Sequence, residues 1–202
     1  MGRAFAELAF SPAVRAVQAR MGSRAAYARL DDSPQRNDAL SAREVRFIER
    51  IDGFYQATVG ETGWPYVQFR GGPAGFLKAL DPKTVAYADL RGNRQYVSAG
   101  NLQGNDRVAL ILMDHARRER LKIMGRARVV DAGADGALLA RLAMPQVATP
   151  VERAVLISVE AWDWNCPQHI TPRFTEAEVE VAVAPLRDEI TRLKSELAAA
   201  RR

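Results

Sequence analysis

The chain has 202 residues, 48% hydrophobic and 26% charged, with a formal net charge of +5. That is the composition of one globular domain, two at most, long enough to bury a core. The longest apolar run, Val108 to Met113, is far short of the roughly 18 residues of a membrane span, so no membrane partner is expected.

Ser11-Pro12 gives an N-cap and a proline at the first helical position, with Val14, Val17 and Met21 following on one face. Asp31 to Asp38 is a polar connector. Ser41 to Glu44 then fits a capping box, and Val45, Ile48 and Ile51 continue at helical spacing until Gly53. From Phe54 the period changes to two. Phe54 to Val59 and Tyr66 to Arg70 read as a hairpin around Glu61-Thr-Gly-Trp-Pro65, and Gly71 to Gly75 interrupts the sheet. Phe76 to Leu80 and Thr84 to Ala88 form the next pair. Val108 to Met113 reads as a buried strand. Leu121 to Val129 alternates apolar and polar, so one face is buried. Ala134 to Leu142 reads as a short helix and Ala154 to Trp164 as the last strand. Hairpin-length connections argue for an antiparallel barrel or sandwich of six or seven strands. In the tail, Val179, Val183, Leu186, Ile190, Leu193 and Leu197 repeat at alternating spacings of four and three, an amphipathic helical seam. Pro185 inside it is expected to kink that helix or start a new one. The chain thus divides into an N-terminal helical segment (1–52), a barrel (53–175) and a helical tail (176–202).

Several function classes fall away. One cysteine, Cys166, excludes an internal disulfide and points to a reducing, cytoplasmic setting; with two histidines it leaves too little for a soft-metal site. No secretory signal is present, and Ala6 stands where myristoylation needs Ser or Thr. The densest basic cluster, Arg117, Arg118, Arg120 and Lys122, lacks aromatic stacking partners and reads as a solvated hairpin tip, so no nucleic-acid partner is expected. Dinucleotide, phosphate-loop and nucleophile-elbow motifs are absent from the sequence.

Two segments carry chemistry. In Arg70-Gly-Gly-Pro-Ala-Gly-Phe-Leu-Lys78, the glycines let backbone approach a flat ligand. In Asp89-Leu-Arg-Gly-Asn-Arg-Gln95, Asn93, Arg94 and Gln95 precede a short helix, whose unpaired amides and adjacent arginine make an anion site.

From about Phe54 to Val130 the chain resembles the pyridoxamine-5′-phosphate-oxidase-like family of FMN-binding split β-barrel proteins. The resemblance rests on Gly63-Trp-Pro-Tyr-Val-Gln-Phe-Arg-Gly-Gly72, Gly75 to Asp81, Asp89 to Tyr96, Asn101-Leu102, Asp106 to Met113 and Leu121 to Val130, with Cys166-Pro-Gln-His-Ile170 later on. It implies a mainly β fold with flanking helices and a homodimer holding FMN in clefts between subunits. Lys78 and Arg94 match the positions that hold the FMN phosphate, with Asn93, Gln95 and Asn101 near them and Gln68 and Arg70 lining the strand edge. Trp164, Gln168 and His169 fall in the segment that reaches the cofactor, often from the other subunit. Phe69 departs from the polar residue expected there. The vitamin-oxidase signature is not evident. The resemblance implies an FMN-dependent oxidoreductase acting with a small-molecule substrate or electron donor, with no catalytic residue assigned. The competing classes are a flavin or haem carrier on the same barrel and a scaffold that recruits a protein through its tail.

Overall fold

The computed structural model describes residues 1–164 and 166–201. Four helices precede the sheet: α1 (Arg3–Ala9), α2 (Pro12–Arg20), α3 (Arg24–Ala28) and α4 (Ala42–Arg50). The two anticipated ones start where their caps require. Ser11 Oγ accepts from the Val14 amide at 3.3 Å, with Pro12 in the first turn of α2. At α4, Ser41 Oγ accepts from the Arg43 amide, and the Ser41 amide donates to Glu44 Oε2 at 2.9 Å. The short α1 and α3 make no side-chain cap, Ser23 before α3 turning its hydroxyl to the Gln18 carbonyl instead; α1 is held by Phe5, which packs with Ala4 on Ala161. The face of α2 bearing Val14, Val17 and Met21 is exposed rather than part of the core.

The sheet consists of β1 (Gly53–Val59), β2 (Pro65–Gly71), β3 (Lys78–Asp81), β4 (Thr84–Leu90), β5 (Arg107–Asp114), β6 (Glu119–Asp131) and β7 (Val151–Trp164). Helix α5 (Val97–Gly104) joins β4 to β5, α6 (Gly136–Leu142) joins β6 to β7, and α7 (Glu176–Ala200) ends the chain. Every pairing is antiparallel, in the order β2-β1-β5-β6-β7-β4-β3. The sheet curls until strands far apart in that order face each other. Tyr87 of β4 donates its hydroxyl hydrogen to Gln56 Oε1 of β1 at 2.8 Å, and Phe54 lies 5.4 Å from the Tyr87 ring and 5.6 Å from Phe76. Edge strands β2 and β3 are not paired to each other, so the barrel is split.

The interior is apolar: Leu110, Leu112, Leu121, Ile123, Val85 and Ile157 are buried, and Leu40, Phe47, Ile48 and Ile51 from around α4 join the same core. Gly125 sits at a bulge between β6 and β7, where a Cβ would meet the Ser158 carbonyl oxygen at 2.3 Å. Strand β5 is not buried on both faces as its apolar run suggested. Val108, Leu110 and Leu112 point inward, whereas Ile111 faces out.

That outer face explains Phe69. In β2, Gln68 and Arg70 point inward, and Phe69 points out beside Tyr55 of β1, ring centres 5.3 Å apart. The Phe69 ring lies over Gly53 and Gly71, where any Cβ would collide with it. Ile111 and Phe69 flank Tyr55 in register, and Val67 sits one row along, so an exposed apolar strip runs across β2, β1 and β5. Pro185 does not break the tail: α7 is one helix, and all of it is exposed or half-buried.

Candidate functional site

Strands β2 and β4, neighbours only because the sheet curls, bring together one end of the site. Arg70 Nη1 lies 2.5 Å from Asp89 Oδ1, and its guanidinium stands 5.6 Å over the buried Tyr87 ring. Arg153, paired with Asp89 across the β4–β7 ladder, places Nε 3.3 Å from Asp89 Oδ2, at an angle that makes no hydrogen bond. Arg153 also pairs with Glu152 and stacks 4.8 Å over the Tyr96 ring. Glu152 accepts hydrogen bonds from Arg91 Nε at 3.1 Å and from the Tyr96 hydroxyl at 3.2 Å.

These contacts set the charges. Burial is the largest influence on Asp89 and raises its pKa above the ordinary carboxylate value, against the opposing pull of Arg70 and Arg153. Glu152 goes the other way: desolvation opposes its charge, but hydrogen bonds from Arg91, Arg153 and Tyr96 outweigh it and lower the pKa. Burial pushes the Tyr87 hydroxyl well above its usual range.

Over this floor lies the loop 91–96, which leads into α5. Arg94 and Tyr96 both adopt left-handed backbone, at φ 62° and 54°, a conformation that non-glycine residues hold only when their surroundings compel it. Asn93 Oδ1 accepts from the Gln95 amide at 3.1 Å and fixes the turn. The turn leaves the start of α5 without a side-chain cap, because Tyr96 occupies the capping position. Val97, Ser98 and Ala99, in the first turn whose amides have no side-chain cap, line a hollow of about 190 Å³ that also takes in Tyr66, Gln68 and Arg70. Ser98 donates its hydroxyl hydrogen to Gln68 Oε1 at 2.9 Å, which ties β2 to the helix start.

Among the described residues the Arg94 guanidinium forms no ion pair or hydrogen bond, and the Nε atoms of Arg70 and Arg153 are buried without a hydrogen-bond partner. A free arginine beside an uncapped helix start offers donors to an acceptor, with Arg70 and Arg153 adding positive charge behind them. An anion with several oxygens fits that set, and a phosphate group is such an anion.

The structure thus brings Gln68, Arg70, Asn93, Arg94 and Gln95 together, and it adds three residues that sequence reasoning missed: Arg153, Glu152 and Tyr96. The one signal for the first two was a charged pair just ahead of the apolar run Ala154 to Ile157. Other anticipated residues lie elsewhere in the chain. Lys78 lines a separate depression with Glu49, Gly75 and Arg141. Asn101 donates to Thr58 Oγ1 at 3.0 Å and so pins α5 to β1. Trp164 is at the far end of β7 from Arg153, roughly 35 Å away at about 3.3 Å per residue. Its indole N–H donates to Glu44 Oε1 at 2.7 Å, with Phe47 edge-on to its ring and Arg43 over it. Burial works against the Glu44 charge, but hydrogen bonds from Ser41 and Trp164 outweigh it and keep the carboxyl ionised. Gln168 and His169 are exposed in a turn at that same distant end, His169 at φ 66°.

Among the described residues no cluster of histidine, cysteine or acidic side chains could hold a metal ion, and no helix is long and apolar enough to cross a membrane. No curated protein matches the chain. Among solved structures, HupZ of Group A Streptococcus is 18% identical, with a TM-score of 0.50 over 67% of this chain and 100% of its own. A Clostridium acetobutylicum protein of the pyridoxinephosphate oxidase family, related to general stress protein 26, is 16% identical over 68% and 94%, TM-score 0.46. An F420 reductase is 19% identical over 58% and 94%, TM-score 0.44. Residues 40–163 match the family model for pyridoxamine 5′-phosphate oxidase. Since that match spans more than half of a chain whose fold is a split antiparallel barrel, the protein belongs to the pyridoxamine 5′-phosphate oxidase family.

Proposed function

We propose that the protein binds FMN and acts as a flavin-dependent oxidoreductase, with the FMN phosphate seated between Arg94 and the start of α5. The observation that carries this is a free Arg94 guanidinium beside an uncapped helix start, in one hollow that Arg70 and Arg153 also line. When bound, the flavin would supply hydride or electron transfer, chemistry that no side chain of this chain offers. Arg94 would hold the phosphate by a two-pronged contact, and the amides of Val97 to Ala99 would complete its oxygens. Gln68 and Arg70, facing inward on β2, would line the path from the phosphate towards the ring.

The hollow also supports a homodimer. At about 190 Å³ it is smaller than the roughly 300–1,000 Å³ of sites that enclose a small molecule. The strip of Val67, Phe69, Tyr55 and Ile111 is an exposed apolar sheet face of the kind a subunit covers. A second copy seated there would bury the strip, and Gln168 and His169 are exposed residues that would be free to reach a hollow of the partner.

The protein should be purified and its visible spectrum recorded with and without added FMN. A yellow protein whose released flavin is FMN is expected, and a colourless one that takes up no FMN would defeat the assignment. Anaerobic addition of a reduced nicotinamide cofactor or another reductant then separates enzyme from carrier, since only an enzyme bleaches and reoxidises the flavin with turnover. Within this reading, Arg94→Ala is expected to weaken FMN binding by about 1.5–3 kcal/mol, the scale of a lost charge-assisted contact, with the melting temperature unchanged. A fluorescence titration checks it; equal affinity would move the phosphate elsewhere, Lys78 being the next candidate.

A further inference from the structure

The C-terminal helix presents a seam that its own chain leaves open. Helix α7 is about 37 Å long at about 1.5 Å per residue, and it starts at a capping box in which the Thr175 amide donates to Glu178 Oε2 at 2.8 Å. Val179, Leu186, Ile190, Leu193 and Leu197 are exposed along it, with Val183 in the same row. Written as heptads, Val183, Ile190 and Leu197 occupy the a positions, and Val179, Leu186 and Leu193 the d positions. Branched residues at two of the three a positions with leucine at two of the three d positions is the arrangement that favours two parallel strands. Pro185 falls at c, outside the seam, which removes any conflict between the proline and the packing.

The flanking charges agree. Glu189 and Glu196 occupy g positions, and Lys194 and Arg201 occupy the e positions five residues later. In a parallel, in-register pair each g residue lies beside the e residue of the opposite helix, so Glu189 meets Lys194 and Glu196 meets Arg201, each twice by symmetry. An antiparallel pair would instead set glutamate against glutamate and lysine against arginine. Along the single helix both glutamates pair with Arg192, and among the described residues Lys194 and Arg201 have no acidic partner. We propose that α7 forms a parallel two-stranded coiled coil with α7 of a second copy of this chain. About three heptads are marginal for an isolated helix pair, and any contact between the barrels would strengthen the coil by raising its effective concentration. The proposal rests on α7 alone and does not depend on the flavin site.

The test uses the full chain carrying Cys166→Ser, so that the native thiol is gone, with Leu193→Cys, Leu197→Cys or Asp188→Cys added singly. Under mild oxidation the first two are expected to run as covalent dimers, and the third, at an outward f position, to stay monomeric on a non-reducing gel. No cross-linking at the first two positions, as expected if α7 folds onto its own barrel, would overturn the proposal. So would cross-linking at only one of these two positions, as an antiparallel pair with its dyad at that position predicts, or equal cross-linking at all three. A second measurement avoids cysteines: the Glu189→Lys/Glu196→Lys chain should raise the dimer dissociation constant by about tenfold in sedimentation. Mixing it with the Lys194→Glu/Arg201→Glu chain should restore a mixed dimer, and failure to do so would refute the parallel register. Flavin-free protein serves in both experiments, so a failed flavin assignment leaves their outcome intact.

Discussion

Phe54→Ala is expected to destabilise the protein by about 3–5 kcal/mol, the usual penalty for emptying a buried aromatic site. Phe54 is 1% exposed and is the point where the curled sheet closes on itself. Its ring packs on Phe76 and edge-on to Tyr87, so one side chain joins β1 to β4 and to the segment before β3. Its neighbours belong to strands fixed by their ladders, so they cannot collapse into the space left behind. For a chain of this size, with about 2–4 °C per kcal/mol, the melting temperature should fall by roughly 8–15 °C. Phe54→Leu should lose less, because it refills most of the volume. Thermal unfolding followed by circular dichroism checks both; a loss below about 1 kcal/mol for the alanine variant would mean that the barrel is not closed through this cluster.

Arg70→Ala is expected to cost about 2–4 kcal/mol at neutral pH, because it leaves the Asp89 carboxylate buried with only the poorly aligned Arg153 beside it. The effect should depend on pH in a stated direction. Asp89 already has a raised pKa in the folded protein, from burial first, so it is protonated more readily folded than unfolded. A carboxyl with that sign lends stability at low pH and loses it as pH rises through its unfolded and then its folded value. Removing Arg70 takes away an interaction favouring the charged form, so the folded value rises further and the loss deepens towards neutrality. Denaturant unfolding at a series of pH values should therefore show the variant approaching the parent as pH falls. Adding Asp89→Asn should recover much of the loss at neutral pH. A deficit that does not change with pH would show that Arg70 stabilises by packing over Tyr87 rather than by its charge.

Much of the fold was legible in the sequence because local rules and global structure agree there. The capping box at Ser41, the hairpin around Gly63 and the alternation from Leu121 to Val129 each came out as expected. The misreadings have one origin. The apolar run of β5 reads as a buried strand and Val14, Val17 and Met21 read as one apolar helix face, yet both leave side chains exposed. Hydrophobicity records that a residue prefers to leave water, not which chain covers it, and a face reserved for another copy looks the same in sequence as a face of the core. Phe69 is the sharpest instance: it seemed out of place between two polar residues because strand alternation turns it outwards, onto two glycines. Pro185 starts no new helix for another reason: a long helix continues past a single missing hydrogen bond when the turns on either side hold.

By itself the sequence determined the class of fold, the order of its strands along the chain and the clustering of polar donors in the Asn93-Arg94-Gln95 loop, because caps, turns and side-chain periods act over a few residues. The tertiary structure alone decided which charges share a site. Arg70, Asp89 and Arg153 are spread over more than 80 positions of the chain, and no local rule connects them. They meet because the sheet curls and brings β2 to β4, while the β4–β7 ladder sets Asp89 opposite Arg153. The same geometry puts Lys78 and Arg94 in separate depressions, because Lys78 pairs with Ala86, which alternates with Tyr87 and Asp89 and so takes the other face of the sheet. Proximity along a chain is fixed by covalent bonds, but proximity in a site is fixed by strand order and curl, and those follow from which faces the whole sheet must bury.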